Sequence, residues 1–281
     1  LTVDRVRRPA EVTAFQVSVT YLFAFSLIFT GLLQFLYTRY VADRLFERRG
    51  DAVAPSLMGA LFVVTTSAGL AATLLASLLF GGMSRADRVL MVVGFVTMSD
   101  IWIVVILLTG LKAYRQVVAA FVLAYGVVLG GAWLAVDWGL EGLLLAFVVG
   151  QALLLFVLLA AVLREYASDT LVGFGFLDGE QVFPDLAVTG LLYNLAVWVD
   201  KLAFWFHPGT GDRVIGPLHA SVLYDVPIFL AYLTIVPGMA VFLVRVETDF
   251  AELYYTFFAM VREGAPLADI ERTRDRLIET V

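Results

Sequence analysis

Long apolar runs alternate with short polar connections along most of the chain. The runs fall at 14–38, 56–80, 89–111, 117–136, 143–163, 186–206 and 220–244. Each holds roughly 20 or more residues, enough to cross about 30 Å of hydrocarbon as an α-helix. The pattern predicts an all-α, polytopic transmembrane helical bundle of about seven spans. After Val244 the pattern changes. Phe250, Leu253, Tyr254, Phe257, Phe258 and Val261 repeat with the spacing of an amphipathic helix, and Gly264 and Pro266 end it before a second, more charged helix. Residues 245–281 therefore read as amphipathic helices that lie on the membrane surface, dock a partner or simply connect two parts of a larger fold.

Composition agrees with this reading. Hydrophobic residues make up 61% of the 281, charged residues 16%, and the mean hydropathy is +0.90, far too apolar for a soluble domain of this length. Cysteine is absent, which excludes disulfides and thiolate chemistry. With only His207 and His219 as imidazoles, no metal site is expected. The net charge of −6 does not suggest a nucleic-acid partner. The stretch GTGDRVIG (209–216) lacks the Gly-Lys-Ser/Thr ending and the preceding strand of a phosphate loop. No cofactor and no catalytic residue is assigned.

Arginine and lysine give the orientation. With the 39–55 connection inside, 12 of them fall in inner segments and 6 in outer ones, which places residue 1 in the periplasm and residue 281 in the cytoplasm. The chain starts at Leu1, and nothing in residues 1–13 would carry that end across, so at least one upstream span is expected. The longest connection between spans, 164–185, falls inside.

Three long stretches carry a resemblance: FQVSVTYLFAFSLIFTGLLQFLYTRYVADRLFE (15–47), TGLLYNLAVWVDKLAFWF (189–206) and IGPLHASVLYDVPIFLAYLTIVPGMAVFLVRVETDFAE (215–252). With GLEGLLLAF (139–147) and IWIVVILLTGLKAY (101–114), they resemble the inner-membrane transporters of Pel exopolysaccharide systems, within the multidrug/oligosaccharidyl-lipid/polysaccharide flippase superfamily. The resemblance implies a two-lobed flippase-like transporter of about 12 spans, of which this chain would hold the second to the eighth. On that plan 1–163 is the N-terminal lobe, 164–185 a cytoplasmic interlobe linker, 186–244 the first two spans of the C-terminal lobe, and 245–281 the cytoplasmic amphipathic helices. It also implies export of Pel-type exopolysaccharide across the bacterial inner membrane by alternating access. The implied partners are the polysaccharide cargo, the lipid bilayer, Pel-system membrane proteins including a receptor for cyclic di-GMP, and a cytoplasmic glycosyltransferase.

The run LLYNLAVWVDKLAFWFHP (191–208) holds the densest candidate chemistry. Asn194, Trp198, Lys201 and Trp205 share one helical stripe, and Tyr193, Asp200 and His207 a neighbouring one. A central charge costs at least about 2.5 kcal/mol against lipid, so this face should meet protein or a water-filled path. Indole and phenol rings suit the apolar face of a sugar, while amides and carboxylates meet its hydroxyls. The plainer reading makes Trp198 and Trp205 interfacial belt residues. Asp200 and Lys201 point about 100° apart, so each needs another partner. Asp225 is the first candidate for Lys201, either as a structural lock or as part of the path.

Asp100, near the middle of its run, is a candidate cation or proton site, or else a neutral acid held by Ser99, Thr97 and neighbouring helices. Pro227, Pro237 and Gly238 are hinge candidates, although proline is also common in ordinary membrane helices. Gly126 and Gly130 have the spacing of a close helix contact. Two other functions compete with transport. A membrane-embedded glycosyltransferase would need a nucleotide-sugar site and a base on a sizeable cytoplasmic surface, which the loops do not offer. A non-transporting membrane scaffold of a polysaccharide synthase complex would need no polar path.

Overall fold

A computed structural model of the protein describes residues 9–108, 114–178 and 183–280. The end of the predicted 89–111 span and residues 179–182 of the predicted linker lie outside them. Among the described residues are nine α-helices and one small hairpin of strands, divided between two compact units, residues 1–221 and 222–281.

In the first unit, α1 (Pro9–Phe46), α2 (Val53–Leu79), α3 (Arg85–Leu108), α4 (Tyr114–Ala135), α5 (Gly139–Glu165) and α6 (Pro184–Phe206) match the predicted spans to within a few residues at most ends. The exception is α1, whose 38 residues exceed the predicted 25 by turns at both ends. Among the described residues of both units, six segments are long and apolar enough to cross a membrane, and one of them, Arg115–Glu165, is a helical hairpin made of α4 and α5. The protein is a multi-pass membrane protein.

Local sequence explains several of the ends. Ser84 accepts a hydrogen bond from the Asp87 backbone N–H at 3.0 Å, the hydroxyl half of a capping box at the start of α3. Pro184 opens α6, where its missing N–H costs nothing. Between α4 and α5 the chain reverses at Gly139, whose φ of +66° a residue with a side chain rarely adopts. A Cβ there would also press on the Glu11 carboxylate.

The core of this unit lies where α1 packs against α6 and α3, and where α3 and α4 both pack against α5. Gly126 and Gly130 take no part in it, contrary to the spacing argument. A Cβ at either would meet nothing within 4 Å, whereas Gly131 lies against Ala146 and Gly150 against Val128 and the Ala124 carbonyl. The small-residue contact is real but belongs to a neighbouring glycine of the same run.

Two connections are more structured than the sequence implied. Between the predicted spans 186–206 and 220–244, residues 212–220 form β1 (Asp212–Ile215) and β2 (Leu218–Ala220), paired antiparallel with Arg213 opposite His219. The described part of the 164–185 connection is anchored: the Gly173 N–H donates to the Pro55 carbonyl at 2.8 Å, and Phe176 is fully buried with its ring 5.7 Å from Tyr37 and 6.4 Å from Tyr40.

The second unit consists of α7 (Val222–Arg245), a π turn (Val246–Phe250), α8 (Ala251–Glu263) and α9 (Leu267–Thr280). Pro227 and Pro237 both sit inside α7, which continues through them. The junction between α7 and α8 holds a π turn and no non-helical residue. Gly264, with φ +71° and ψ +35°, ends α8 in the left-handed conformation, and α9 folds back with Thr273 donating to the Met260 sulfur at 3.4 Å.

Candidate functional site

A polar seam runs along α1 and ties α6 to α3. Ser26, Thr30, Gln34 and Thr38 recur at intervals of four, so their side chains stack along one face of α1. Thr30 donates to the Ser26 carbonyl at 2.8 Å, and Gln34 Nε2 donates to Thr30 Oγ1 at 2.8 Å. At one end the seam reaches α6, where Asn194 Nδ2 donates to Gln34 Oε1 at 3.0 Å. At the other it reaches α3, where Trp102 Nε1 donates to Ser26 Oγ at 3.0 Å. Asn194 is 4% exposed and Ser26 fully buried. In a low-dielectric environment such groups are stable because they satisfy one another.

The helices come this close because both backbones are bare at the crossing. Gly31 of α1 faces Gly190 of α6, and a Cβ on either would overlap the other's carbonyl oxygen. This contact allows the short Asn194 side chain to reach Gln34.

Beyond the crossing the seam becomes aromatic. Trp205 stacks on Tyr21 with centroids 4.8 Å apart and planes 16° apart, and Trp198 lies 6.4 Å from Trp205. Trp205 is 2% exposed, so packing on α1 replaces the belt reading for this residue. The Lys201 ammonium sits 5.1 Å from the centre of the Trp198 ring, a cation–π distance. Trp198 Nε1 is buried without an acceptor among the described residues. The Tyr21 hydroxyl accepts the backbone N–H of His219 at 3.1 Å, holding the strand hairpin over this end of α1.

The stripe of Asn194, Trp198, Lys201 and Trp205 thus gathers at the α1–α6 seam. The neighbouring stripe does not: Tyr193 is 59% exposed, with its ring 5.6 Å from Phe35, and His207 is exposed. Asp200 accepts the backbone N–H of Lys201 at 2.7 Å, a local contact. Asp225, the proposed partner of Lys201, is half-buried on α7 in the second unit, and the hinge candidates Pro227, Pro237 and Gly238 are exposed on the same helix.

Asp100 is held separately, between α2 and α3. It is 7% exposed, its Oδ2 accepts from Thr65 Oγ1 at 2.8 Å, and its Oδ1 is buried with no donor among the described residues. Ser99, one of its expected partners, instead donates to the Phe95 carbonyl at 2.8 Å. An acid with one satisfied and one unsatisfied oxygen has a place for a proton or a small cation.

Sequence reasoning missed Gln34, Thr30, Ser26, Thr65, Tyr21 and the Gly31–Gly190 crossing. The four-residue recurrence on α1 was a usable signal. Thr65 and the glycines carry none that distinguishes them from ordinary packing residues.

A family model described as "PelG: Putative exopolysaccharide Exporter (EPS-E)" matches residues 1–281, the whole chain. No curated protein and no solved structure matches it.

Proposed function

Because this chain belongs to the PelG family, we propose that it moves exopolysaccharide across the bacterial inner membrane by alternating access, with the α1–α6 seam as a gate closed in this conformation. The hydrogen bond from Asn194 to Gln34, continued by the Trp205–Tyr21 stack, carries the reading. These are the group types that bind sugars: amides and hydroxyls for the hydroxyl groups, flat rings for the pyranose face. Closed, they satisfy one another. Parted, they present donors, acceptors and two aromatic faces to a passing chain, so cargo takes over the hydrogen bonds and stacking that opening breaks. On the plan of a two-lobed flippase, α1 and α6 belong to different lobes, and rocking of the lobes would open this seam. Asp100 would be the proton or cation site coupled to the motion, and Pro227, Pro237 and Gly238 the hinge. The polymer would come from a cytoplasmic glycosyltransferase of the same Pel system.

Cross-linking tests the gate. The sequence has no cysteine, and the Phe35 and Tyr193 rings lie 5.6 Å apart across the seam. Full-length protein carrying Phe35→Cys and Tyr193→Cys should stop exporting polymer when joined by a short thiol cross-linker and resume on reduction. Export at the uncross-linked rate with the link intact would refute the gate, and is what a non-transporting scaffold would give.

A further inference from the structure

At the far end of α1 from the strand hairpin lies a cavity of about 340 Å³ that the transport reading does not use. Its walls include Arg39, Tyr40, Asp43, Arg44, Glu47 and Phe183. Two guanidinium groups are held there by aromatic rings. Arg44 Cζ stands 5.3 Å from the centre of the Tyr40 ring and Arg39 Cζ 5.8 Å from that of Phe183. Rings that position a guanidinium restrict its conformations before any ligand arrives, and its planar fork of donors suits phosphate.

Arg44 is the more telling of the two. Its side chain is 10% exposed, yet its Nε is buried with no acceptor among the described residues. Its Nη1 and Nη2 both pair with Glu47 at 3.1 Å, and Arg39 Nε pairs with Asp43 at 2.9 Å. Both acids stand at the rim, their side chains 44% and 38% exposed. Rim carboxylates can turn to solvent when a stronger multidentate acceptor enters, and neither supplies the missing acceptor for Nε.

The depth also fits. The apolar run 14–38 ends one residue before Arg39, so the cavity lies at the level of lipid headgroups, on the side to which the arginine count assigns the cytoplasm. We propose that this cavity is a phosphate-binding site, filled by the headgroup of an anionic phospholipid or by a free phosphate compound, with Arg44 as its buried anchor and Arg39 as its outer clamp.

The test follows thermal unfolding of full-length protein in neutral detergent, with added phosphatidylglycerol, phosphatidylcholine or inorganic pyrophosphate. Phosphatidylglycerol or pyrophosphate should raise Tm above the phosphatidylcholine value, and Arg44→Gln and Arg39→Gln should each lose at least half of that rise. A rise with phosphatidylglycerol alone assigns the headgroup, and one with pyrophosphate assigns free phosphate. Should Arg44→Gln fail to fold, Arg39→Gln, whose wild-type side chain is 57% exposed, carries the comparison. Equal Tm in all three additions, or an undiminished rise in the variants that fold, overturns the site.

Discussion

Removing both sides of the Asn194–Gln34 bond should cost less than the sum of removing each. The amides meet at 3.0 Å, and Asn194 is 4% exposed, so water cannot readily replace a missing partner. Asn194→Leu leaves Gln34 Oε1 without its donor, and Gln34→Met leaves the Asn194 amide without its acceptor. Each orphan costs about 1–3 kcal/mol by the penalty for an unsatisfied buried polar group. Interhelical polar contacts in membrane proteins are themselves modest, about 0.6 kcal/mol on average and about 1.7 at most. Gln34 also donates to Thr30, so this pair belongs near the upper end. The double variant places two apolar side chains face to face, and should be more stable than the sum of the single losses predicts by about 1–2 kcal/mol. The assay is reversible unfolding of the full-length protein in mixed micelles, read by tryptophan fluorescence, with Tyr193→Leu as a control at a 59% exposed position of the same helix. Additive losses, with a coupling below about 0.3 kcal/mol, would refute the claim that the seam holds α6 to α1.

Gly190→Val drives a branched side chain into the Gly31 carbonyl, and should destabilise by about 1–3 kcal/mol or more through forced separation of α1 and α6, measured by thermal melting alongside export. Phe176→Ala empties the fully buried socket beside Tyr37 and Tyr40 and should cost about 3–5 kcal/mol, read in the same melts; a loss under about 1 kcal/mol would mean the connection is not anchored there. Asp100→Asn can still accept from Thr65 but cannot exchange a proton, so export should fall while stability changes by less than about 1 kcal/mol. Export at the wild-type level would make Asp100 a packing acceptor only.

The helices were legible because a membrane span must be apolar for about 20 residues whatever it packs against, and that pattern survives any tertiary context. The stripe of Asn194, Trp198, Lys201 and Trp205 was legible for a related reason: polar and aromatic groups on an apolar helix are costly unless they face something. What they face depends on crossings that hydropathy does not encode. Gly31 and Gly190 look like any two glycines until a backbone is placed against each, and Gly126 and Gly130 had the better spacing but meet nothing. Gln34 could have been read from the recurrence of Ser26, Thr30 and Thr38, since it sits in their register. The strand hairpin was not foreseen because its seven strand residues, with a proline and a glycine in the turn, give too short an alternation to stand out from a loop.

The passage from α7 into α8 without a non-helical residue has a mechanical consequence. Beyond the π turn, the 13 residues of α8 make an arm of about 20 Å at the rise of an α-helix. An arm converts rotation at one end into travel at the other: a tilt of about 10° at the start of α8 sweeps its far end through about 3 Å. A slack tether would dissipate such a movement. The turn into α9 at the far end of α8 is where a change in the tilt of α8 would be felt most strongly.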